Sequence, residues 1–118
     1  MKKLYEDYDP TDDIINKGDS VSMDYRTFLN FTDGLGLRFN MIDAEIAYSS
    51  NDLELEFSDP LLVNPQDGIL DIIINAHSFM RIKSKSIREV MGVSLKNNVL
   101  SADFATKEGN ILTVWWYV

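Results

Sequence analysis

The chain has 118 residues, no cysteine and a net charge of −8 at pH 7. This length suits one domain with a single core, and the lack of cysteine excludes disulfides, thiolate metal sites and cysteine nucleophiles. No apolar run approaches the roughly 20 residues of a membrane-spanning helix, and the N-terminal sequence lacks the apolar stretch of a signal peptide. The composition therefore predicts a cytoplasmic protein, of a cell or of a virus-infected cell.

The first predicted element follows the acidic stretch DYDPTDD, residues 7–13. An EF-hand loop beginning at Asp7 would need glycine at its sixth position and glutamate at its twelfth, where this chain has Asp12 and Gly18. The stretch instead predicts a short helix over residues 9–18, with Asp9 as N-cap and Gly18 just beyond the last turn. Two residues of this helix are expected to dock on a sheet, Ile14 and Ile15.

The next segment alternates apolar and polar residues with the period of a β-strand. Alternation over residues 21–31 and again over 35–41 predicts a hairpin whose loop is formed by residues 32–34. Near Met41 the apolar phase slips by one residue, which indicates a β-bulge. A strand is predicted over 42–48 and pairs with a strand over 53–57, which sets Tyr48 against Leu53. A short helix over 42–48 is the alternative.

The middle of the chain is less regular. Residues 59–68 contain two prolines and predict an irregular crossing with at most a short edge strand. Residues 69–85 predict one long strand bent near His77. The first half of that strand has apolar residues on both faces, so it is expected to be central in its sheet.

The C-terminal third predicts a three-stranded meander. Its turns are a two-residue turn at 97–98 and a three-residue loop at 107–109. An alternative for residues 86–91 is a short helix. The strand pairing brings apolar residues together as follows: Leu95 with Leu100, Val93 with Ala102, Met91 with Phe104, Phe104 with Leu112, Ala102 with Val114 and Leu100 with Trp116.

These elements predict one all-β domain over residues 1–118, an antiparallel meander forming a sandwich or partly open barrel with one short N-terminal helix. Residues 1–8 are expected to form a flexible acidic lead, residues 9–18 the helix and residues 20–118 the β domain. The alternative is an α+β fold with a helix at 42–48 or 86–91.

No arrangement of residues indicates catalysis. The single histidine, His77, lies in an apolar predicted strand, and its neighbour Ser78 is expected on the opposite strand face. The sequence has no glycine-rich phosphate loop and no histidine and cysteine set for zinc or copper. We therefore expect no enzyme activity, no metal site and no cofactor.

The charge is unevenly distributed along the chain. Residues 1–60 hold fourteen acids and five bases, whereas residues 61–118 hold five acids and six bases. An acidic surface repels nucleic acid and anionic membranes and attracts basic partners. We therefore expect no direct nucleic-acid binding and no membrane association, although solubility alone also explains an acidic surface.

Two charged clusters follow from the predicted strands. The first places Asp43, Glu45, Glu54 and Glu56 on one sheet face, with Glu45 directly opposite Glu56. Such a face attracts a bound cation, an arginine or a basic partner, or is an exposed face screened by solvent. The second cluster is interpreted as the protection of an exposed strand edge; it comprises Arg81, Lys83, Lys85 and Arg88.

The ending TVWWYV raises the last question. Trp116 belongs to the buried phase, whereas Trp115 and Tyr117 point to the other face. These two aromatics form either a second core layer or an exposed patch that binds a partner or another copy of the chain. Small residues are expected beside them on the neighbouring strands.

The sequence therefore predicts a non-catalytic acidic binding or inhibitory protein that engages a basic partner protein, as immunity proteins, antitoxins and phage counter-defence proteins do. The expected binding residues are Asp43, Glu45, Glu54 and Glu56. One alternative is a structural or assembly subunit, for example of a viral particle, that associates through Trp115, Tyr117 and a free C-terminal strand edge. Another is a β-barrel that binds a small ligand.

Overall fold

A computed structural model describes residues 8–50, 53–57 and 62–118. The predicted acidic lead over residues 1–8 thus lies, apart from Tyr8, outside the described residues. The described residues form two antiparallel sheets and one short α-helix, and the sheets do not close into a barrel. The prediction of a mostly β, antiparallel fold is confirmed.

The described residues form nine strands and the helix α1, Tyr25–Gly34. In chain order the strands are β1 Val21–Met23, β2 Asp43–Ser49, β3 Glu54–Phe57, β4 Leu62–Gln66, β5 Ile69–Asn75, β6 Ser78–Lys83, β7 Ile87–Lys96, β8 Val99–Thr106 and β9 Ile111–Tyr117. The larger sheet has the order β1-β7-β8-β9-β2-β3, and the smaller sheet has the order β4-β5-β6. Because β9 lies between β8 and β2, the predicted free C-terminal strand edge is wrong.

The predicted strand over residues 21–31 is also wrong, because it ends at Met23 and α1 begins at Tyr25. The Asp24 carboxylate accepts a hydrogen bond of 2.8 Å from the backbone N–H of Thr27, which is the geometry of a helix N-cap. Three residues spaced by three along α1 bury their side chains: Tyr25, Phe28 and Phe31. The spacing of these buried residues fits the period of a helix, just as the alternation of apolar and polar residues over 21–31 fits the period of a strand.

The predicted hairpin partner over residues 35–41 is replaced by a loop and a short 3₁₀ turn, Phe39–Met41. After that turn, the strand predicted over 42–48 is confirmed as β2, and the alternative helix there is wrong. Its register with β3 differs from the prediction by two residues, since Tyr48 pairs with Leu55. A shift by two keeps every side chain on the same face, so burial could not discriminate between the two registers.

The single long strand predicted over 69–85 is wrong, because the chain reverses between β5 and β6. The backbone N–H of His77 donates to Oδ1 of Asn75 over 2.8 Å, and this side-chain contact forms the turn. β5 is the central strand of its sheet, as predicted. β4 is an edge strand of the same sheet, which confirms the short edge strand predicted within residues 59–68.

The C-terminal meander is confirmed at both turns. Leu95 pairs with Leu100, and Phe104 pairs with Leu112. The predicted pair of Met91 with Phe104 is wrong, because β7 has a register shift between Met91 and Ser94, where Gly92 has a φ of +58°. The alternative helix over 86–91 is wrong, since these residues belong to β7 apart from Ser86.

The core lies where the two sheets and α1 meet. Trp116 is 0% exposed and donates its indole N–H to the carbonyl oxygen of Val63 on β4 over 2.9 Å. The ring centroids of Phe28 and Phe104 lie 5.4 Å apart with an edge-on geometry. The hydroxyl of Tyr25 donates to the carbonyl oxygen of Gln66 over 2.8 Å. These contacts fix the smaller sheet and α1 against the inner face of the larger sheet.

The predicted N-terminal helix over residues 9–18 is present as a shorter helical turn, Asp12–Asn16. The Asp9 carboxylate accepts a hydrogen bond of 3.0 Å from the backbone N–H of Thr11. Ile14 is 1% exposed and joins the core, as predicted, whereas Ile15 is 41% exposed. The turn is too short to bury both residues, so docking is confirmed for Ile14 alone.

Candidate functional site: the outer face of the larger sheet

The outer face of the larger sheet brings the acidic cluster and the C-terminal aromatics together. On the β2–β9 pair, Asp43 lies opposite Tyr117 and Glu45 lies opposite Trp115. Residues directly opposite each other in an antiparallel pair have side chains on the same face. We call this surface the acidic–aromatic face; it comprises Asp43, Glu45, Glu54, Glu56, Trp115 and Tyr117.

The two glutamates of β3 lie beside this pair. Glu56 lies opposite Ala47, and Glu54 lies opposite Ser49. The predicted direct opposition of Glu45 and Glu56 is therefore wrong, because the true register is shifted by two residues. The four carboxylates still share one face, and no two of them are directly opposed across the described β2–β3 pairs.

None of these four carboxylates forms an ion pair with another described residue. The ion pairs of the described residues lie elsewhere, between Lys17 and both Asp12 and Asp13, Arg26 and Asp67, Arg81 and Asp71, and Arg88 and Glu89. Asp43, Glu54 and Glu56 are exposed, and Glu45 is half-buried. Among the described residues, the negative charge of this face is thus not balanced by an ion pair.

The two aromatic residues of the face differ in exposure. Tyr117 is 46% exposed, whereas Trp115 is half-buried. A hydrogen bond between the Tyr117 hydroxyl and the Glu45 carboxylate raises the pKa of Tyr117. The interpretation as a second core layer is wrong for Tyr117, since much of its ring contacts solvent.

Small side chains continue the face beyond Trp115. Ser101 lies opposite Trp115, and Ser94 lies opposite Ser101 on the next strand. The hydroxyl oxygens of the two serines are 2.9 Å apart. Val90, further along β7, is buried on the core side, because the register shift between Met91 and Ser94 reverses the phase of the strand. Because serine side chains are small, they leave space beside the Trp115 ring.

This combination of groups favours recognition of cationic side chains. Carboxylates accept charge-assisted hydrogen bonds from arginine and lysine, and the faces of tryptophan and tyrosine attract the same cations. Arginine can engage both at once, since its guanidinium group is planar, binds carboxylates in a bidentate manner and stacks on aromatic rings.

The other charged residues that the sequence indicated lie away from this face. His77 is exposed in the β5–β6 turn. On β6, Arg81 lies 2.9 Å from the Asp71 carboxylate and 4.9 Å from the centre of the Phe79 ring. Arg81 and Lys83 lie on β6, an edge strand of the smaller sheet, so the interpretation of edge protection fits these two residues. It does not fit Arg88, which lies on β7 between β1 and β8.

Sequence reasoning missed a cleft of about 560 Å³ beside β6. Residues 80–83 of β6 form one side of the cleft, and Tyr48, Ser86, Thr106, Lys107, Glu108 and Asn110 complete its lining. The cleft was missed because residues 69–85 were predicted to form one strand. Asn75 could have indicated the turn between β5 and β6, since asparagine side chains commonly begin turns.

Two further classes of site receive no support in the part of the chain that the structure describes. No group of three or more histidine, aspartate or glutamate side chains in residues 8–50, 53–57 and 62–118 is placed to hold a metal ion. Within the same ranges, no helix has the length and apolar character needed to cross a membrane.

Comparisons with known proteins give little guidance on function. No family model matches the chain, and no curated protein matches it. Among solved structures, the chain is similar to the crystal structure of ChuX, with 18% sequence identity and a TM-score of 0.48. The match covers 82% of this chain and 62% of that one. A likeness this distant assigns no function.

Proposed function

We propose that this protein is a non-catalytic binding protein that captures a basic partner protein on the acidic–aromatic face, and that it acts by covering the basic surface of that partner. The observation that carries the proposal is the β2–β9 register, which places Glu45 opposite Trp115 and Asp43 opposite Tyr117. Inhibitors of nucleases and of other proteins with basic surfaces belong to the function class that this chemistry supports.

The electrostatic part of the proposal rests on the carboxylates. Asp43, Glu54 and Glu56 form no ion pair with the lysine and arginine residues that the structure describes. Positive charge from a partner would therefore relieve their mutual repulsion. Such complementarity accelerates encounter and selects against acidic competitors, while exposed pairs add only modest affinity. We therefore expect association to be fast and to weaken as salt is added.

The aromatic part supplies affinity that charge alone does not. Tryptophan, tyrosine and arginine dominate the energetics of protein interfaces, usually near the centre of the contact. Trp115 has carboxylates on one side and the serine surface on the other. An arginine of the partner placed over Trp115 would pair with Glu45 while its stem covers the small residues.

The experiment compares two variants with the same change in net charge. Wild-type protein captures basic proteins from a lysate of its source cells, and each purified candidate is then titrated calorimetrically. The face variant carries Asp43→Asn, Glu45→Gln, Glu54→Gln and Glu56→Gln. The control carries four changes of exposed acids elsewhere, Asp12→Asn, Asp19→Asn, Asp33→Asn and Glu108→Gln.

We expect the face variant to bind about tenfold more weakly, since four exposed charge pairs of a few tenths of a kcal/mol each are lost together. The control variant should bind within about threefold of the wild type, because only long-range attraction changes. Equal affinities of the two variants for every captured partner would refute the proposal. A loss on Trp115→Ala alone, with both charge variants unaffected, would instead favour assembly through the aromatic patch.

A further inference from the structure

The free edge of β6 and the cleft beside it form a second candidate binding site, which shares no residue with the acidic–aromatic face. β6 is an outermost strand of the smaller sheet within the described residues, and it pairs only with β5 there. The cleft of about 560 Å³ runs beside residues 80–83. Its volume falls in the range of small-molecule and peptide pockets.

The backbone pairing shows which groups of β6 point toward its free edge. The N–H of Ser84 donates to the carbonyl oxygen of Gly68 over 2.9 Å, so these two residues form a hydrogen-bonded pair. Bonded and non-bonded pairs alternate in an antiparallel ladder. Ile82 and Met80 therefore bond to β5, while the N–H and C=O groups of Phe79, Arg81 and Lys83 point toward the free edge.

Side chains on the two faces of β6 have different character. Arg81 and Lys83 are exposed on the outer face, whereas Met80 and Ile82 are half-buried on the inner face, where Tyr48 also lines the cleft. Lys107 adds a further positive charge to the lining, and Glu108 is the one carboxylate among the described residues that line the cleft. An added strand would thus meet Lys83 and Arg81, which also pairs with Asp71, on one face and apolar groups on the other.

We propose that β6 binds an extended acidic peptide segment of another protein by strand addition in this cleft. Peptides that add to a sheet edge gain affinity from main-chain hydrogen bonds and specificity from alternate side chains. The pattern that fits alternates acidic residues, beside Arg81 and Lys83, with apolar residues, beside Met80 and Ile82. Residues Phe79–Lys83 span about 13 Å, which suits a segment of about five residues.

The same positive charges explain why the edge does not pair indiscriminately. Lysine and arginine on an edge strand discourage pairing with other chains. An acidic strand reverses this effect, because its carboxylates replace repulsion by attraction. Edge protection and selectivity for an acidic segment are thus two consequences of the same residues.

The test uses synthetic peptides and the full chain. The probe is a fluorescently labelled hexapeptide of alternating glutamate and valine, and its control replaces each glutamate with lysine. Two further versions of the probe carry N-methyl groups on one or the other alternate set of amides. Binding is measured by fluorescence anisotropy, and the site is located by nuclear magnetic resonance.

We expect the glutamate peptide to shift the resonances of residues 79–83 and the lysine peptide to leave those resonances unchanged, since the acidic–aromatic face is the surface that attracts cationic peptides. One N-methylated version should lose about tenfold or more in affinity, because its methyl groups replace the N–H donors that bond to the free edge of β6, while the other version binds like the parent. Equal binding of both N-methylated versions, or no binding of the glutamate peptide at millimolar concentration, would overturn the proposal.

Two variants examine the protein side of the contact. Lys83→Ala combined with Lys107→Ala should weaken binding of the glutamate peptide several-fold, whereas Arg88→Ala combined with Lys96→Ala, which removes cations outside the cleft, should not. Arg81→Pro removes an outward N–H without removing a bond to β5. If Arg81→Pro impairs folding, the pair of N-methylated peptides still decides. Because β6 and the acidic–aromatic face share no residue, either proposal can fail without the other.

Discussion

Glu45 lies directly opposite Trp115 across the β2–β9 pair, which places a carboxylate beside an aromatic ring on the outer face of the larger sheet. Residues 50–110 separate the two strands along the chain, and β9 pairs with β8 on one side and with β2 on the other. This pairing joins the acidic first half of the sequence to the aromatic C-terminus in one surface.

The hydrogen bond between Tyr117 and Glu45 predicts a measurable titration. This bond raises the pKa of Tyr117 in the folded protein. The bond therefore stabilises the fold below the ordinary tyrosine pKa of about 10, and this stabilisation is lost as pH rises through the pKa of Tyr117 in the folded protein. Glu45→Gln should lower the pKa of Tyr117, as followed by the carbon resonance of its ring. Glu54 lies opposite Ser49, away from Tyr117, so Glu54→Gln should leave the pKa of Tyr117 unchanged. Equal shifts in the two variants would show that general charge, and not this bond, raises the pKa.

The contact between Trp116 and Val63 predicts unequal roles for adjacent tryptophans. Trp116→Phe should lower the free energy of unfolding by about 2–4 kcal/mol, since it leaves a cavity and an unpaired buried carbonyl group. Trp115→Phe, at a half-buried position on the outer face, should cost about 1 kcal/mol or less. Chemical denaturation of both variants measures the difference. Similar losses would contradict the assignment of Trp116 as the residue that joins the sheets.

Substitution by alanine is expected to have opposite effects on stability at Gly92, in the bulge of β7, and at Gly34, in α1. Gly92 has a φ of +58°, and an added Cβ there would lie 3.4 Å from the Asp103 carboxylate, so Gly92→Ala should destabilise by about 1 kcal/mol or more. Gly34 lies in α1 with open space around it and without a positive φ, so Gly34→Ala should stabilise by about 0.5–1 kcal/mol. Thermal unfolding of the two variants gives the signs. A stabilising Gly92→Ala would contradict the bulge.

The N-cap of α1 predicts a further change in stability. Asp24→Ala removes the acceptor of the Thr27 N–H and should cost about 1 kcal/mol. Asp33→Ala removes an exposed acid near the other end of α1, where a negative charge opposes the helix dipole, so its effect should be within about 0.5 kcal/mol and slightly stabilising. Urea unfolding checks both, and a neutral Asp24→Ala would show that packing alone holds the helix.

Sequence patterns predicted the C-terminal meander because its turns carry their own signals. Asn97 and Asn98 both adopt positive φ values of 52° and 63°, conformations that asparagine tolerates well. The two-residue turn and the three-residue loop fix the register of their strands, and the buried faces agree with that register. Local chemistry and burial selected the same structure there.

The helix α1 was missed because its residues satisfy two periods at once. Residues 21–31 alternate as a strand does, while Tyr25, Phe28 and Phe31 form a helical stripe. Burial of the Tyr25 hydroxyl against Gln66, which lies on the smaller sheet, favours the helix. That contact is long-range and leaves no local signal in the sequence, so tertiary packing overrode the alternation.

The members of the acidic–aromatic face were predicted as two separate clusters. Strand alternation correctly assigned Asp43 and Glu45 to one side of β2, and Trp115 and Tyr117 to one side of β9. The adjacency of β2 and β9 was not predictable, since no turn connects them and many strand orders bury the same residues. The structure supplied that link.

The most direct test of the central claim is a chemical-shift titration of the isotope-labelled protein with a short arginine-rich peptide. We predict that the largest changes fall on the indole N–H of Trp115 and on the backbone amides of Asp43, Glu45, Glu54 and Glu56, that they weaken with added salt, and that the indole N–H of Trp116 stays unchanged as an internal control. Changes confined to other surfaces, with the resonances of Trp115 and Glu45 unmoved at saturation, would contradict the account.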